Sequence, residues 1–362
     1  MTYLLAIGTR KGLWLARSED RRAWALDGPY FAMQDVRSCA IDTRGGRTRL
    51  LAGARSEHWG PSVFHSDDLG ASWHEADGGA VRFPADTGEA MQAVWQLRPD
   101  TADRPGVVWA GSEPSALWRS EDGGETFALV RGLWDHPHRP SWQPGGGGKA
   151  LHTVLPHPAD DARVLVAMST GGVYRSDDGG ESWSASNTGI AADFVPDPLP
   201  DHAQCVHKVA RDSSDPERLF AQNHGGVYRS DDGGTTWQPI GSGLPSDFGF
   251  PVVAHPAQPG TAWVVPLVAD VHRFPPDGVL QVWRTTDAGG SWESTSDGLP
   301  AAGFYASVIR DAFSTDGDPG SPGLYLGSRD GSVYASPDGG GSWAEVVRHL
   351  PDVLCVRAAL LP

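Results

Sequence analysis

Apolar and polar residues alternate along this chain in short runs, and clusters of Gly, Pro and Asp separate the runs. Residues 151–155, 163–168, 172–176 and 182–185 show the pattern well and are rich in Val, Leu and Tyr. Alternation with a period of two, carried by β-branched and aromatic residues, is typical of strands. We find no helical period sustained over ten residues or more. The pattern therefore predicts an all-β chain.

One turn motif recurs between the predicted strands. At residues 176–183 it reads Ser-Asp-Asp-Gly-Gly-Glu-Ser-Trp, and its general form is Ser-x-Asp-x-Gly-x-Ser/Thr-Trp. The Asp carboxylate is expected to accept hydrogen bonds from the turn, the glycines to allow positive φ, and the Trp to be buried. A reduced copy around Asp20 lacks the glycines. Six fuller copies centre on Asp68, Asp122, Asp178, Asp232, Asp287 and Asp338.

The seven copies are spaced by 48, 54, 56, 54, 55 and 51 residues, which indicates a repeat architecture. Each period holds four strand-sized segments, as does an antiparallel blade of a β-propeller. The chain begins with three such segments (3–6, 12–16 and 23–26) and ends with one (353–357), so the two ends are expected to complete one blade. The sequence thus predicts a single seven-bladed propeller, with blades at 353–362 plus 1–26, 35–76, 91–131, 150–186, 204–240, 248–296 and 304–347.

The net charge disfavours some classes of binding partner, and the cysteine content disfavours a cysteine-based metal site. The 362 residues carry a net charge of −16, which disfavours binding to nucleic-acid phosphates and to anionic membranes. The three cysteines, Cys39, Cys205 and Cys355, are widely spaced and form no metal-binding motif. We expect reduced thiols in a cytoplasmic protein, because neither a signal peptide nor a membrane-spanning run is visible. Glycine-rich nucleotide motifs are also missing, so no organic cofactor is predicted.

The repeated turn resembles the Asp-box, also called the BNR repeat, of a large group of β-propellers. The group includes sialidases, the sortilin luminal domain, photosystem assembly factors and xyloglucan-active hydrolases. Because enzymes and scaffolds share the Asp-box, the resemblance implies the fold and leaves the function open. Sialidases of this group carry an Arg-Ile-Pro motif near the N-terminus and usually have six blades. This chain lacks the motif, so a classical sialidase is not expected.

The insertions between strands predict where a site would lie. Four of them, residues 77–91, 132–149, 187–203 and 268–278, are expected mostly on the face that carries the turns between second and third strands. The Asp-boxes and the insertion at 314–322 belong to the opposite face. Long insertions on a compact repeat are commonly functional. We therefore expect a pocket at the axial mouth of the first face.

The insertion at 132–149 is the richest in aromatic, imidazole and guanidinium groups. One hypothesis is that Trp134 or Trp142 stacks on a ligand ring while Arg139 holds an anionic or hydroxyl group. The alternative is that these aromatic residues plug the ring. His136, and His202 from the next insertion, are expected on the same rim.

Two histidines occupy matching positions in neighbouring blades, His152 in Leu-His-Thr-Val and His207 in Val-His-Lys-Val. Both are predicted near the axis as general acid or base, with ligation of a divalent metal together with His224 as a weaker alternative. Glu57 and Glu113 are either the carboxylates of a hydrolase or partners of nearby arginines. The other groups expected around the mouth are Arg10, Arg55, His58, Trp59, Tyr305 and Arg329.

Three functions remain open from the sequence. The concentration of His, Arg, Glu and Trp on one rim favours an enzyme that acts on a polar, carbohydrate-like molecule by hydrolysis or elimination. The lack of a recognisable catalytic motif favours a scaffold that binds a protein or peptide. A metal-dependent form of the enzyme is the third hypothesis. In all three, the Asp-box acids are assigned a structural role.

Overall fold

The computed structural model describes residues 1–58, 60–145, 148–192 and 194–361. The expectations for Trp59 and for Pro362, at the end of the predicted first blade, lie outside the described residues. No helix in the described ranges is long and apolar enough to cross a membrane. Apart from strands, the regular elements there are one short α-helix, α1 (Arg131–Trp134), and 3-10 turns at Arg44–Gly46, Ala85–Thr87, Arg139–Ser141 and Pro276–Gly278.

The first half of the chain forms strands β1 to β14, whose inner members are largely buried because each blade packs between two neighbours. Their bounds are β1 (Tyr3–Thr9), β2 (Gly12–Ser18), β3 (Ala25–Tyr30), β4 (Asp35–Asp42), β5 (Arg49–Ser56), β6 (Gly60–Ser66), β7 (Ala93–Pro99), β8 (Val108–Glu113), β9 (Ala116–Ser120), β10 (Ala128–Leu129), β11 (Leu151–Pro156), β12 (Val164–Met168), β13 (Gly172–Ser176) and β14 (Ser184–Ala185).

The second half of the chain repeats this arrangement. Outer strands such as β14 and its counterparts are short, because the residues before them belong to the Asp-box turn. The bounds are β15 (Val206–Arg211), β16 (Leu219–Asn223), β17 (Gly226–Ser230), β18 (Gln238–Pro239), β19 (Gly249–Ala254), β20 (Ala262–Pro266), β21 (Trp283–Thr285), β22 (Glu293–Ser294), β23 (Phe313–Thr315), β24 (Leu324–Gly327), β25 (Val333–Ser336), β26 (Ala344–Val347) and β27 (Val353–Leu360).

The strands form seven antiparallel sheets, six of four strands and one of three. In the three-stranded sheet β4-β5-β6, an isolated bridge between His65 and His74 lies where other blades have a fourth strand. The first blade has the order β27-β1-β2-β3, so its inner strand comes from the end of the chain. Cys355 of β27 lies opposite Gly8 of β1. The predicted closure by one strand plus three is confirmed.

The inner strands surround the axis in the order β27, β4, β7, β11, β15, β19 and β23, and β23 contacts β27 again. Closing the ring in this way removes the free strand edges that an open sheet would expose. The core lies between adjacent blades. For example, Trp109 and Leu117 of the third blade pack in one cluster with Trp183 of the fourth.

The Asp-box turn joins the third and fourth strands of a blade through short local bonds. Asp178 Oδ1 accepts hydrogen bonds from the Ser182 N–H (2.9 Å) and the Ser176 hydroxyl (2.8 Å). Its Oδ2 accepts from the Ser182 hydroxyl (2.5 Å). Gly179 and Gly180 have φ of 76° and 102°, which a side chain would disfavour. Equivalent bonds are made by Asp68, Asp122, Asp232, Asp287 and Asp338.

In three of the boxes the tryptophan, Trp237, Trp292 or Trp343, is hydrogen-bonded to the preceding blade. Trp237 Nε1 donates a hydrogen bond to the Ser186 carbonyl of the preceding blade at 2.9 Å. Trp292 Nε1 makes the same bond to the Ile240 carbonyl at 2.7 Å. These three boxes therefore close a turn and also position one blade against the next.

Candidate functional site

A cavity of about 510 Å³ opens on the axis, on the face that carries the insertions. The insertion at 187–203 contributes Phe194 to its wall, and the insertion at 268–278 contributes Asp270 and Arg273. The insertion at 132–149 contributes Gly145, and the rest of the wall comes mainly from the inner strands with the residues that precede them and from turns between second and third strands. Its arginines and aromatic residues are Arg10, Arg37, Arg273, Arg310 and Arg329 with Trp95, Phe194, Phe248 and Phe250.

A β-bulge near the start of the inner strands determines which side chains reach this cavity. The pairing register shifts at the same place in β4, β7, β11, β15, β19 and β27. A bulged residue lacks a ladder partner and its side chain is re-aimed. In the last blade, Arg310 holds the equivalent sequence position just before β23. The residues at this position that line the cavity are Leu354, Arg37, Trp95, His207, Phe250 and Arg310.

Arg310 is the most deeply placed cation of the cavity, with 8% of its surface exposed. Its guanidinium carbon lies 5.2 Å from the ring centre of Trp95 and 5.7 Å from that of Phe250. Its Nε donates to the His207 carbonyl at 3.2 Å. The terminal nitrogens have no acceptor in the part of the chain that the structure describes. Burial lowers the pKa of Arg310, but a guanidinium remains protonated in proteins.

The four other arginines of the wall surround Arg310 at the rim. Arg10 and Arg329 share one partner, Asp352, whose Oδ2 lies 3.3 Å from Arg10 Nε and 2.6 Å from Arg329 Nη2. Arg37 comes from β4 and Arg273 from the last insertion on this face. Five arginines in one cavity are notable in a chain with a net charge of −16. Because Asp352 pairs with Arg10 and Arg329, and Asp35 pairs with Arg37 at 3.1 Å, the positive charge that favours an anionic ligand comes mainly from Arg273 and Arg310.

One side of the cavity carries a thiol and two imidazoles. Ligand atoms of Cys205, His207 and His224 all lie within 4.8 Å of one another. His207 Nδ1 lies 2.5 Å from the Gly249 carbonyl, and His224 Nε2 lies 3.9 Å from Asp270 Oδ2. Burial, together with Arg310, lowers the pKa of His207 to about 3. His207 is therefore neutral at physiological pH and is poorly suited to be a general acid.

An ionic layer forms the floor of the cavity. Asp311 lines the cavity, and its Oδ1 accepts from Lys208 Nζ at 2.8 Å and also from Arg357. Lys208 Nζ donates in addition to Gln96 Oε1 at 2.9 Å. Lys208, Arg357 and Gln96 line a second cavity, of about 580 Å³, at the opposite mouth. Although burial opposes ionisation, the two cations hold the pKa of Asp311 below its usual value.

His152, predicted as a catalytic residue and as a weaker candidate metal ligand, does not line the cavity. The residue sits at the bulge of β11, as the match with His207 implies, but none of its surface is exposed. Its Nε2 lies 3.0 Å from the Val206 carbonyl of the next blade. Burial, and next the charge of Arg310, lower the pKa of His152 well below its usual value. His152 is a neutral core residue that joins two blades.

Trp134 and Trp142, which one of the two hypotheses stacks on a ligand, do not line the cavity either. Trp134 is 5% exposed and lies under Arg139, whose guanidinium carbon is 3.4 Å from the ring centre. Trp142 is buried, and its Nε1 donates to the Tyr174 hydroxyl at 2.9 Å. Arg139 pairs with Glu89 at 3.1 Å instead of reaching the cavity. Burial of the two indoles in the core is more favourable than exposure at a rim.

His136 and His202 form a separate cluster with His138, and none of the three lines the axial cavity. The rings of His138 and His202 stack at 4.0 Å with an interplanar angle of 16°. His202 Nε2 lies 2.8 Å from the Ser141 hydroxyl. The prediction that His136 and His202 belong to the axial site is therefore corrected, because the two insertions pack against each other beside the mouth.

The predicted carboxylate pair is not brought together in the cavity. Glu113 accepts a hydrogen bond from Trp95 Nε1 at 2.9 Å and lies 3.9 Å from Arg37, so it orients two residues of the wall without lining it. Tyr305 is 68% exposed and packs on Phe274 away from the cavity. Three exposed residues at the end of β5 and in the turn to β6 also lie outside the wall, and these are Arg55, Glu57 and His58.

The other predicted residues do line the cavity, and the structure adds several that the sequence reasoning missed. Arg10, His207, His224 and Arg329 are in the wall as expected. The missed residues include four at the bulge position, and aligning Val-His-Lys-Val with the first strand of every blade would have found them. They are Arg37, Trp95, Phe250 and Leu354.

Fold and cavity together define the class of protein: a closed seven-bladed propeller with an arginine-rich axial pocket. The profile of the BNR/Asp-box repeat matches residues 174–185 and 228–239. The chain is therefore a β-propeller that carries Asp-box repeats, as the repeated turn indicated.

Two kinds of relative are similar in sequence. A xyloglucanase of Paenibacillus sp is 26% identical over 263 residues, which cover 69% of this chain and 21% of that protein. The photosystem II assembly lipoprotein Ycf48 of Synechococcus sp. (strain CC9902) is 25% identical over 286 residues, covering 78% of this chain and 68% of that protein. A second xyloglucanase, from Hypocrea jecorina (strain QM6a), is matched over 34% of its length. This chain thus spans between a fifth and a third of these two xyloglucanases.

The similar solved structures also include an enzyme and a YCF48 protein. An ancestral GH74 enzyme has a TM-score of 0.58 at 18% identity, covering 86% of this chain and 38% of that one. YCF48 bound to D1 peptide has a TM-score of 0.51 at 14% identity, covering 86% and 82%. At these identities the similarity concerns the fold alone.

Proposed function

We propose that the axial cavity binds an acidic, carbohydrate-like molecule and that Arg310 holds its carboxylate. The observation that carries this proposal is the buried guanidinium whose terminal nitrogens have no acceptor within the described residues. A guanidinium presents a planar fork of donors that matches a carboxylate in a bidentate arrangement. Arg310 is already held by Trp95 and Phe250, so little conformational entropy is lost when it binds.

The size and lining of the cavity support a ligand of sugar dimensions. Small-molecule sites usually measure about 300–1,000 Å³, and this cavity measures about 510 Å³. Trp95, Phe248 and Phe250 line the cavity but are only 6–8% exposed, so Phe194, which is 48% exposed, is the aromatic residue of the wall with most surface free to pack on a sugar ring. The similarity to xyloglucanases supports a carbohydrate-like substrate at the level of the fold family.

The lining favours some chemistries over others. Among the described residues of the wall, the carboxylates are Asp270 and Asp311. Asp311 is bound to two cations, and Asp270 lies beside His224. Glycoside hydrolysis by two free carboxylates is therefore poorly supported. We place any hydrolysis or elimination on the side of the cavity that carries Cys205, His207 and His224.

Calorimetric titration with D-glucuronate, D-galacturonate and neutral D-glucose tests this proposal. The two uronates should bind and glucose should not. Arg310→Gln should weaken uronate binding roughly 10–100-fold, because a hydrogen bond to a charged group contributes about 1.5–3 kcal/mol. Arg284→Gln is the matched control, since Arg284 pairs with Glu293 on the blade surface. Equal binding of glucose, or uronate binding that survives in folded Arg310→Gln, would refute the proposal.

A second candidate function is capture of a peptide through its terminal carboxylate. The insertions beside the mouth expose large apolar side chains: Phe194 is 48%, Leu199 60% and Val271 77% exposed. Exposed apolar patches commonly mark protein contacts. The fold similarity to YCF48, which was solved with a D1 peptide, supports the same function. Hexapeptides with free C-termini that bind, together with C-terminal amides and uronates that do not, would favour this function over the first.

A further inference from the structure

We propose that Cys205, His207 and His224 form a zinc site in the wall of the axial cavity. The proposal stands independently of the acidic ligand. Thiolate and imidazole are the usual protein ligands of Zn²⁺, and sites with three protein ligands leave a fourth position open. Ligand atoms of a tetrahedral zinc site lie about 3.5 Å apart. The three groups here lie within 4.8 Å of one another, so rotamer adjustments on the order of 1 Å bring them to a common metal.

The strongest evidence is the orientation of His207. The Gly249 carbonyl, 2.5 Å from Nδ1, can only accept a hydrogen bond, so Nδ1 carries the proton. This leaves the lone pair on Nε2. Metal-bound histidines characteristically donate their second ring N–H to a carbonyl or carboxylate, which holds the tautomer and the ring orientation. His207 is 3% exposed and is therefore held in this orientation by its surroundings.

The backbone holds the other two ligands near His207. Cys205 and His207 flank the start of β15, two residues apart on the inner strand of the fifth blade. His224 follows β16, the neighbouring strand, and its N–H donates to the Cys205 carbonyl at 2.9 Å. The site thus lies within a single blade, with ligands on two paired segments. Asp270 Oδ2, 3.9 Å from His224 Nε2, supplies a carboxylate that can orient this imidazole.

The surrounding charges favour a set of ligands that includes a thiolate. Arg273 and Arg310 line the same cavity and would oppose a divalent cation held by neutral imidazoles alone. Bound as a thiolate, Cys205 adds a negative charge and Asp270 adds a second nearby. The proposed zinc ligands therefore include Cys205 and not His152, which is fully buried in the core.

The cluster of His138, Asp201 and His202 serves as an internal control. Its ligand atoms also lie within 4.8 Å of one another, yet the rings of His138 and His202 are stacked nearly parallel at 4.0 Å. Nitrogen lone pairs lie in the plane of each ring, so stacked imidazoles do not aim them at a common point. His202 Nε2 also faces the Ser141 hydroxyl, and His138 Nδ1 faces the Tyr174 hydroxyl. We therefore expect the metal at Cys205 and not at this cluster.

The test is titration of the full chain with Co²⁺ after treatment with EDTA, followed by displacement with Zn²⁺. One Co²⁺ per chain should bind, with a thiolate-to-cobalt charge-transfer band in the near ultraviolet and visible bands of tetrahedral cobalt. Cys205→Ser should abolish the charge-transfer band, and His224→Ala should weaken binding at least about tenfold. His138→Ala should leave both unchanged. Absence of the band in the native chain, or an equal loss in His138→Ala, overturns the proposal.

Alkylation gives a second readout that does not depend on the spectrum. Cys39 and Cys355 are 1% and 0% exposed, whereas Cys205 is partly exposed in the cavity wall. Iodoacetamide should therefore label Cys205 in the native chain, and mass spectrometry of its peptide should show at least tenfold slower labelling with Zn²⁺. His224→Ala should remove this protection, and Mg²⁺ should give none. Labelling that Zn²⁺ does not slow contradicts the site, even where Co²⁺ binds elsewhere.

Discussion

Lys208 Nζ lies 2.8 Å from Asp311 Oδ1 on the axis of the propeller, where the inner parts of the fifth and seventh blades face each other. Arg357 of the first blade donates to the same oxygen, and Gln96 of the third accepts from Lys208. One carboxylate therefore connects blades that are far apart in the sequence. Since the side chain of Asp311 is 3% exposed and that of Lys208 15%, solvent screens this ion pair only weakly.

The first prediction concerns this carboxylate. Asp311→Asn should lower the free energy of unfolding by about 3–5 kcal/mol, because removing one partner leaves buried cations without compensation. The measurement is urea denaturation followed by tryptophan fluorescence.

Glu293→Gln is the matched control for that substitution. Glu293 pairs with Arg284, but its side chain is 60% exposed, so the loss should stay within about 1 kcal/mol. If the two variants were equally stable, the ionic layer would not contribute to the stability of the ring.

The second prediction concerns the strand that closes the ring. A chain that ends before Val353 should be largely unfolded at room temperature, since the loss of β27 exposes the edge of β1 and removes the contacts that β27 makes with β4 and β23. Circular dichroism and limited proteolysis measure the effect. A chain that ends after Leu360 keeps β27 and should melt close to the full chain. Cooperative melting of the shorter chain at the native temperature would show that closure is not needed.

The third prediction concerns the Asp-box in acid. Hydrogen bonds from the Ser182 hydroxyl and N–H and from the Ser176 hydroxyl lower the pKa of Asp178 from 3.8 to about 2. Because the folded pKa is the lower one, this stabilisation is complete above about pH 4 and is lost as the pH falls toward 2. Asp178→Ala should lower the Tm at pH 7 by several degrees, and the difference from the native chain should shrink between pH 4 and pH 2.

Two controls accompany this measurement. Asp77→Ala changes an exposed acid of an insertion and should leave the Tm unaltered at every pH. Uronate binding to folded Asp178→Ala should equal that of the native chain, because the box lies on the face opposite the cavity. A variant with native melting and lost binding would mean that the box has a functional role.

How much of the structure the sequence predicts depends on how far apart in the chain the interacting residues lie. The bonds of Asp178 to Ser176 and Ser182 span four residues or fewer, so a local motif predicts the turn, and its repetition predicts the blades. The ring closure followed from counting strand-sized segments at the two ends. The face on which the cavity opens could also be predicted from the sequence, because insertions and inner strands occupy fixed positions in a propeller.

The assignment of individual site residues was less accurate, and the pair of His152 and His207 shows why. Both sit at the bulge of an inner strand, and both sequences read apolar-His-polar-Val. His207 faces the cavity, whereas His152 turns to the Val206 carbonyl and is sealed in the core. The difference lies in what packs over each residue, and that comes from segments distant in the chain.

The sequence by itself therefore determined the all-β class, the seven blades, the shared first blade and the face on which the axial cavity opens. These properties depend on local turn chemistry and on a period that can be read along the chain. Only the tertiary structure decided that Trp134 and Trp142 belong to the core and that Arg310 stands at the bottom of the cavity without an acceptor among the described residues. Such properties depend on which surfaces of distant segments meet, because the burial of a side chain is set by its neighbours in space.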